Sequence, residues 1–368
     1  MTMRDRVGPG AIAALAAALA SCGARTGLLV DASVDRGDVV VDRPDAPPPD
    51  VCSPRVLPAS PSSVEVLLLT DRSTSMERDL LGGAGAPRRW DVLREALAAT
   101  LPRYQDRIAM GLQFFPGTDA SGICAVGAAP DLVPALAQSL PILLRFSRSE
   151  PNGRTPTWLG VQSAGRYLAW RAAPRRFRSI LLATDGAPNC NGALDGARCT
   201  CTALGGTGQQ QCEDDPSLCL DDGRTVAEVA RLAAQGIPTY VVGIDGDNQP
   251  ELITVLSQLA VAGGRPNLAP GARPYYSVRR PEELTAAFEQ IQRQVSRCVF
   301  GVGAGVSERD AVALTLGGAA VARDPSRREG WDWADAERST LTLFGGACER
   351  ASAGAAAVVL TVGCGGGG

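Results

Sequence analysis

The sequence predicts a doubly wound α/β fold, with helices on both faces of a mostly parallel sheet, followed by a small β module. Two observations predict it. Runs such as "VEVLLLT" (64–70), "RSILLATDG" and "IPTYVVGI" are apolar without alternation, as strands buried on both faces must be. Between them lie stretches whose apolar residues recur at helical spacing, and strands alternating with helices imply a parallel sheet. A third observation raises the question of function: the first buried strand runs into "TDRSTSM", an aspartate followed by two alternating serines.

In chain order, residues 1–21 are expected to be an export signal. Arg4 and Arg6 give a positive start, and "AIAALAAALA" forms an apolar centre too short to span a bilayer. "LASC" (Leu19 to Cys22) is similar to the lipobox of bacterial lipoproteins. That resemblance implies cleavage before Cys22, lipid on its thiol and anchorage to the cell envelope. Gly23 stands where some Gram-negative lipoproteins carry an aspartate that retains them in the inner membrane, which favours the outer one. Residues 22–62 are dominated by Asp and Pro and predict a disordered tether.

Residues 63–298 carry the α/β pattern. "RWDVLREALAATLPRY" places Val92, Leu93, Ala96, Leu97 and Leu101 on one helical face. "DRIAMGLQFF" predicts a strand and "DLVPALAQSLPILLRF" a mixture of strand edge and helix. "TWLGVQSAGRYLAW" and "TVAEVARLAAQG" predict helices, as do "PELITVLSQLAVAGG" and "PEELTAAFEQIQRQVSRC", each with proline at its start, where a missing donor is harmless. Over 299–368 the short runs "AVALTLGGAAVAR", "STLTLFGG" and "AAAVVLTVGC", with "GWDW" between them, predict the β module, trailed by glycines.

Composition excludes several chemistries. The chain has no histidine and no lysine, so all 36 basic residues are arginine. Ser-His-Asp and Cys-His nucleophile pairs, HExxH zinc sites, the Walker A lysine and Schiff bases are therefore absent. Carboxylate, thiol or metal chemistry remains. A net charge of −3 with scattered arginines gives no field for a phosphate backbone, so nucleic acid is not an expected partner.

In a parallel α/β sheet, ligands gather at the carboxyl ends of strands, which is where Asp71, Ser73 and Ser75 fall. Small hard oxygen donors at alternating positions in a tight loop suit magnesium or manganese. "TDRSTSM" resembles the D-x-S-x-S element of von Willebrand factor A domains, the metal-ion-dependent adhesion site. "NGRTPT" resembles the loop that supplies a threonine in that family, and "LLATDGAPN" the strand end that supplies a second aspartate. The resemblance covers 63–298 and implies Asp71, Ser73, Ser75, Thr155 and Asp185 as ligands of Mg2+ or Mn2+. It further implies an open coordination position for the carboxylate of a protein partner: adhesion or capture, with no bond made or broken. Thr157 is a nearby rival to Thr155, and Thr155 or Asp185 could instead be a helix cap or a turn residue.

Other readings compete. An apolar strand before D-x-D resembles the nucleophile loop of haloacid-dehalogenase-type phosphatases, but Ser73 holds the second position and the lysine of those enzymes is missing. The acidic runs "EDD", "LDDG" and "DGDN" lack the spacing and closing glutamate of an EF-hand loop and are expected to be solvated turns. A further alternative keeps the fold and makes the metal site purely architectural in an envelope scaffold.

Of 11 cysteines, removing Cys22 leaves ten, an even number suited to disulfides in an oxidising compartment. Zinc would need four cysteines, and "CTC" lacks the usual C-x-x-C spacing. Cys190, Cys199, Cys201, Cys212 and Cys219 lie in a glycine-rich insertion at about 190–219. Five cannot pair among themselves, so one is expected to reach out, with Cys124 as its candidate. The family resemblance, in which the domain ends lie close together, implies Cys52 with Cys298; Cys348 with Cys364 would close the β module.

Overall fold

The computed structural model describes residues 55–61, 63–80, 85–118, 122–171, 176–203, 208–244, 250–302, 306–308, 310–353 and 357–363. The expected signal, Cys22 with its anchor, Cys52, Cys364, "DGDN" and most of the tether lie outside the described residues. From Cys52 onward the chain forms one compact unit. Its first half contains β1 (Arg55–Pro61), β2 (Ser63–Asp71), α1 (Arg89–Thr100), β3 (Ile108–Phe115), β4 (Leu132–Ala135), α2 (Ser139–Ser147), α3 (Thr157–Trp170) and β5 (Arg176–Thr184). Then come α4 (Gln209–Asp214), α5 (Asp222–Ala234), β6 (Thr239–Ile244), α6 (Pro250–Ala262), β7 (Tyr276–Val278) and α7 (Pro281–Arg297). The chain closes with β8 (Val299–Val302), β9 (Ala311–Leu316), β10 (Ala319–Val321), β11 (Gly330–Trp333), β12 (Thr340–Phe344), α8 (Gly345–Ala353) and β13 (Val358–Gly363).

The expected doubly wound sheet is present. Its six strands run β4-β3-β2-β5-β6-β7, all parallel except the edge strand β4. The unalternated apolar run of β2 is buried on both faces. Val64, Val66 and Leu68 pack toward Trp90 and Leu93 of α1, Phe146 of α2 and Phe288 of α7. Leu67 and Leu69 point the other way, into Val161 of α3, Val229 of α5 and Leu256 of α6. Each such side chain contributes about 2 kcal/mol through apolar area removed from water. Trp90 sits in an aromatic cluster, its ring 5.6 Å from Phe114 and 4.8 Å from Phe146, which fixes the start of α1. The chain leaves β2 for β3 on one side and returns to β5 on the other, so the strand order reverses between the carboxyl ends of β2 and β5.

The second sheet is antiparallel, in the order β10-β9-β13-β1-β8-β12-β11. This corrects two expected boundaries. Arg55–Pro61, placed in the tether by its prolines, is the central strand of this sheet, so the β module is built from both flanks of the α/β region. Arg55–Pro58 pair only with β13 and Ala59–Pro61 only with β8, which leaves an unpaired edge for residues without an N–H. Arg265 joins the two sheets. Buried, its guanidinium donates to Thr342 Oγ1 at 3.0 Å and lies over Phe344 at 4.9 Å and Phe177 at 5.4 Å, the kind of cation–aromatic contact that keeps a desolvated charge tolerable.

Disulfides join Cys124 to Cys190, Cys199 to Cys219, Cys201 to Cys212 and Cys298 to Cys348. The last overturns both Cys52–Cys298 and Cys348–Cys364. The reason is topological: Cys298 ends α7 directly beside α8, which carries Cys348, and the two Cα atoms are 5.3 Å apart. Bonds of this kind belong to an oxidising compartment. No helix among the described residues is long and apolar enough to cross a membrane.

Candidate metal centre

Three segments meet at the point where the strand order reverses: the end of β2 with the turn after it, the loop before α3, and the end of β5. Asp71 is the last residue of β2 and is fully buried. Its Oδ1 accepts from the Ser73 amide at 2.8 Å and its Oδ2 from the Thr184 hydroxyl. A 3₁₀ turn over Thr74–Glu77 brings Ser75 inward, with its hydroxyl 2.9 Å from that of Ser73. The Ser75 hydroxyl donates to Asp185 Oδ1 at 2.7 Å. Asp185 follows β5 and is likewise buried.

Thr155 arrives from the loop before α3. A Cβ built on Gly186 would lie 3.2 Å from the Thr155 hydroxyl oxygen and 3.6 Å from that of Ser75, so the hydroxyls of both loops face one small space beside Asp185. Among the described residues the Thr155 hydroxyl takes no hydrogen-bond partner, and Thr155 lines the cleft above the site. Its rival Thr157 is fully buried, with its hydroxyl turned to the Thr155 carbonyl at 3.4 Å, and does not line the cleft. Neither threonine caps α3, whose N-cap is Pro156 without a side-chain bond.

The backbone around these candidate ligands is locked by residues that sequence reading passed over. Arg72, the first of the two variable residues of D-x-S-x-S, donates from its guanidinium to the carbonyls of Pro116 at 3.1 Å, Gly117 at 3.0 Å and Glu150 at 2.6 Å. Gly153 adopts φ +94°, and its carbonyl accepts from the Thr74 amide at 3.0 Å, tying the serine turn to the threonine loop. Asn189 grips the other side: its Oδ1 accepts from the Thr155 amide at 2.9 Å, and its own amide donates back to the Thr155 carbonyl at 2.9 Å.

Arg89 is the largest feature that sequence reading missed. The helical pattern of α1 marks it only as a polar first residue. In the fold it is buried and donates from Nη1 to Asp185 Oδ2 at 2.7 Å. Burial pushes Asp71 up to about 7, with the charge of Asp185 adding to the effect and bonds from Ser73 and Thr184 opposing it. Burial also raises Asp185, against the pull of Arg89. Two carboxyls strained against ionisation in one pocket are stabilised as carboxylates by a cation.

The cysteine-rich insertion forms a wall over this site. Cys199–Cys219 and Cys201–Cys212 staple a short ladder in which the Thr202 amide donates to the Leu218 carbonyl at 3.0 Å and the Leu220 amide to the Thr200 carbonyl at 2.8 Å. Arg154, beside Thr155, ties the wall down through Asp215 at 2.6 Å and through Ser217. The cleft between wall and ligand loops holds about 520 Å³ and is lined by Ser73, Ser75, Thr155 and Asp185 below and by Thr202 and Leu220 above. The sulfurs of Cys199, Cys212 and Cys219 lie within 4.8 Å of one another, but they are disulfide sulfurs and offer no thiolates to zinc. Of the acidic runs, Asp215 is paired with Arg154, and Asp221 with Arg224 at 2.5 Å.

The donor set consists of hard oxygens, two carboxylates and three hydroxyls gathered from separate loops, and it fits magnesium or manganese. Neither a protein-family model nor a curated protein matches the chain. Solved structures similar to it include the PilB minor pilin from Streptococcus sanguinis, at 18% identity over 64% of this chain and 62% of that one, TM-score 0.43. A von Willebrand factor type A protein from Catenulispora acidiphila is similar at 13% identity over 84% and 59%, TM-score 0.41. The manganese-loaded TRAP protein of Plasmodium vivax is similar at 16% identity over 66% and 77%, TM-score 0.40. The chain spans about three fifths of the length of the pilin it matches. These likenesses are loose, and the functional reading rests on the site itself.

Proposed function

We propose that this chain is an exported binding protein of the von Willebrand factor A type, which captures a protein ligand through a divalent cation. Magnesium or manganese would be held by Asp71, Ser73, Ser75, Thr155 and Asp185, directly or through water. A bound cation supplies an electrophilic position that a carboxylate of the partner completes. The chain's own residues fix the donors and admit an acidic group between the serine turn and the cysteine wall. No bond is made or broken, so the protein acts by adhesion or capture and not as an enzyme. The four disulfides among the described residues support an oxidising location, "LASC" supports attachment through Cys22 to the cell envelope, and Gly23 after it favours the outer membrane.

The observation that carries the reading is the convergence of Asp71, Ser73, Ser75 and Asp185 in one chain of hydrogen bonds, with the Thr155 hydroxyl alongside, where the strand order reverses. Calorimetric titration of the metal-stripped protein with manganese tests it. One binding site, lost in Asp71→Ala, is expected; equal binding by the variant contradicts it. One observation favours the second reading, an envelope scaffold with an architectural site: Arg89 already supplies a cation to Asp185. Metal-independent partner binding in the Asp71→Ala variant would favour that reading.

A further inference from the structure

The two carboxylates of the site are held in different ways. Both oxygens of Asp71 accept from neutral groups, the Ser73 amide and the Thr184 hydroxyl. Asp185 accepts from the neutral Ser75 hydroxyl at Oδ1, but its Oδ2 faces the Arg89 guanidinium at 2.7 Å, in a pair whose side chains are 2% and 0% exposed. Asp71 therefore presents a whole charge to a metal, whereas the charge of Asp185 is already largely answered. Arg78 adds a weaker attraction to Asp185 from the cleft wall.

Arg89 is placed there by the fold and not by rotamer chance. It is the first residue of α1, and its amide donates to the Arg78 carbonyl at 2.9 Å, while Arg88 and Asp79 form an isolated antiparallel bridge beside it. The next residue, Trp90, is locked between Phe114 and Phe146. The helix start cannot slide without breaking both contacts, so the guanidinium stays next to Asp185 whether or not a metal is present.

Resting on the metal-dependent reading above, we propose that Arg89 is a fixed counter-cation that shares Asp185 with the metal. It lowers the affinity of the site for the metal and leaves the bound ion with more uncompensated charge for the partner's carboxylate. It is a positioning and tuning residue and does not itself touch the metal. In a buried site a like charge a few ångströms from a cation weakens its binding by roughly tenfold to a hundredfold.

The test compares manganese affinity of the wild type, Arg89→Leu and Arg89→Lys by calorimetry, with thermal melts in chelator and in saturating manganese. Arg89→Leu is expected to bind manganese at least about tenfold more tightly. It should melt lower than wild type in chelator, because Asp185 loses its partner, and recover most of that difference in manganese. Arg89→Lys, which keeps the charge, should stay within about threefold of the wild-type affinity. An Arg89→Leu protein that binds manganese no more tightly, or that fails to fold even in manganese, gives Arg89 a purely structural role and overturns the proposal. Failure of the underlying reading looks different: the wild type then binds no manganese, or binds it equally well after Asp71→Ala.

Discussion

Replacing Asp71 by asparagine should abolish metal binding and yet make the metal-free protein more stable at alkaline pH. The amide is nearly isosteric, its oxygen can accept from the Ser73 amide, and its NH2 can donate to the Thr184 hydroxyl, which retains the Gly186 carbonyl as its own acceptor. What the substitution removes is a buried charge. The folded protein holds a proton on Asp71 up to about pH 7, whereas the unfolded chain releases it near 3.8. Between those values the folded state binds more protons, so stability falls as pH rises, and above about 7 the penalty is complete. A rise of that size corresponds to about 4 kcal/mol, from which about 1 kcal/mol is lost to less favourable hydrogen bonds of the amide. Asp185 is present in both proteins, and its repulsion of the Asp71 charge is already contained in that rise. Urea unfolding in chelator should therefore give the variant a clear advantage, about 3 kcal/mol at pH 8, shrinking toward zero at pH 5. Saturating magnesium at pH 8 should stabilise the wild type and leave the variant unchanged. A variant no more stable than wild type at pH 8, with the same pH dependence, refutes the account of Asp71 as a strained carboxylate awaiting a cation.

Other perturbations separate site from scaffold. Gly153→Ala places a side chain at φ +94° with its Cβ 2.7 Å from the Ile123 carbonyl oxygen, so it should cost about 1–3 kcal/mol and weaken manganese binding by displacing Thr155; both are read from one melt and one titration. The Cys298→Ser, Cys348→Ser double variant opens a bridge with a sequence separation of 50 and should lose about 2–5 kcal/mol in urea unfolding while keeping its manganese affinity, since the bond joins the end of α7 to α8 in the core cluster under the second sheet. A chain starting at Ser63 lacks the central strand β1, and limited proteolysis should cut its β8–β13 region far faster than in the full protein.

The α/β half was legible because its physics is local. A strand buried on both faces must be largely apolar, as 64–70 is apart from Thr70 and from Glu65, whose buried carboxylate is paired with Arg171 and Arg176, and amphipathic helices announce their inner faces, as Val92, Leu93, Ala96, Leu97 and Leu101 do by all being buried. The candidate ligands are carried by three short motifs, and the fold brings these motifs together because each sits at or beside the end of a strand or the start of a helix at the reversal point. The second sheet was misjudged because β1 carries Pro58 and Pro61, and proline ordinarily argues against a central strand; only pairing one edge at a time makes room for it. Cysteine partners depend on which distant elements become neighbours, which no spacing records. Arg89 escaped notice because a polar residue at a helix start is usually solvated, and only the tertiary position of α1 against β5 turns it inward onto Asp185.

The central claim is that a divalent cation sits among Asp71, Ser73, Ser75, Thr155 and Asp185. Anomalous scattering from crystals of the protein grown with manganese tests it most directly. The account predicts one strong peak in the cleft, about 2.1 Å from oxygens of Asp71, Ser73 and Ser75, with at least one outward position filled by water. A map with no peak there, or with manganese bound only elsewhere on the protein, contradicts it.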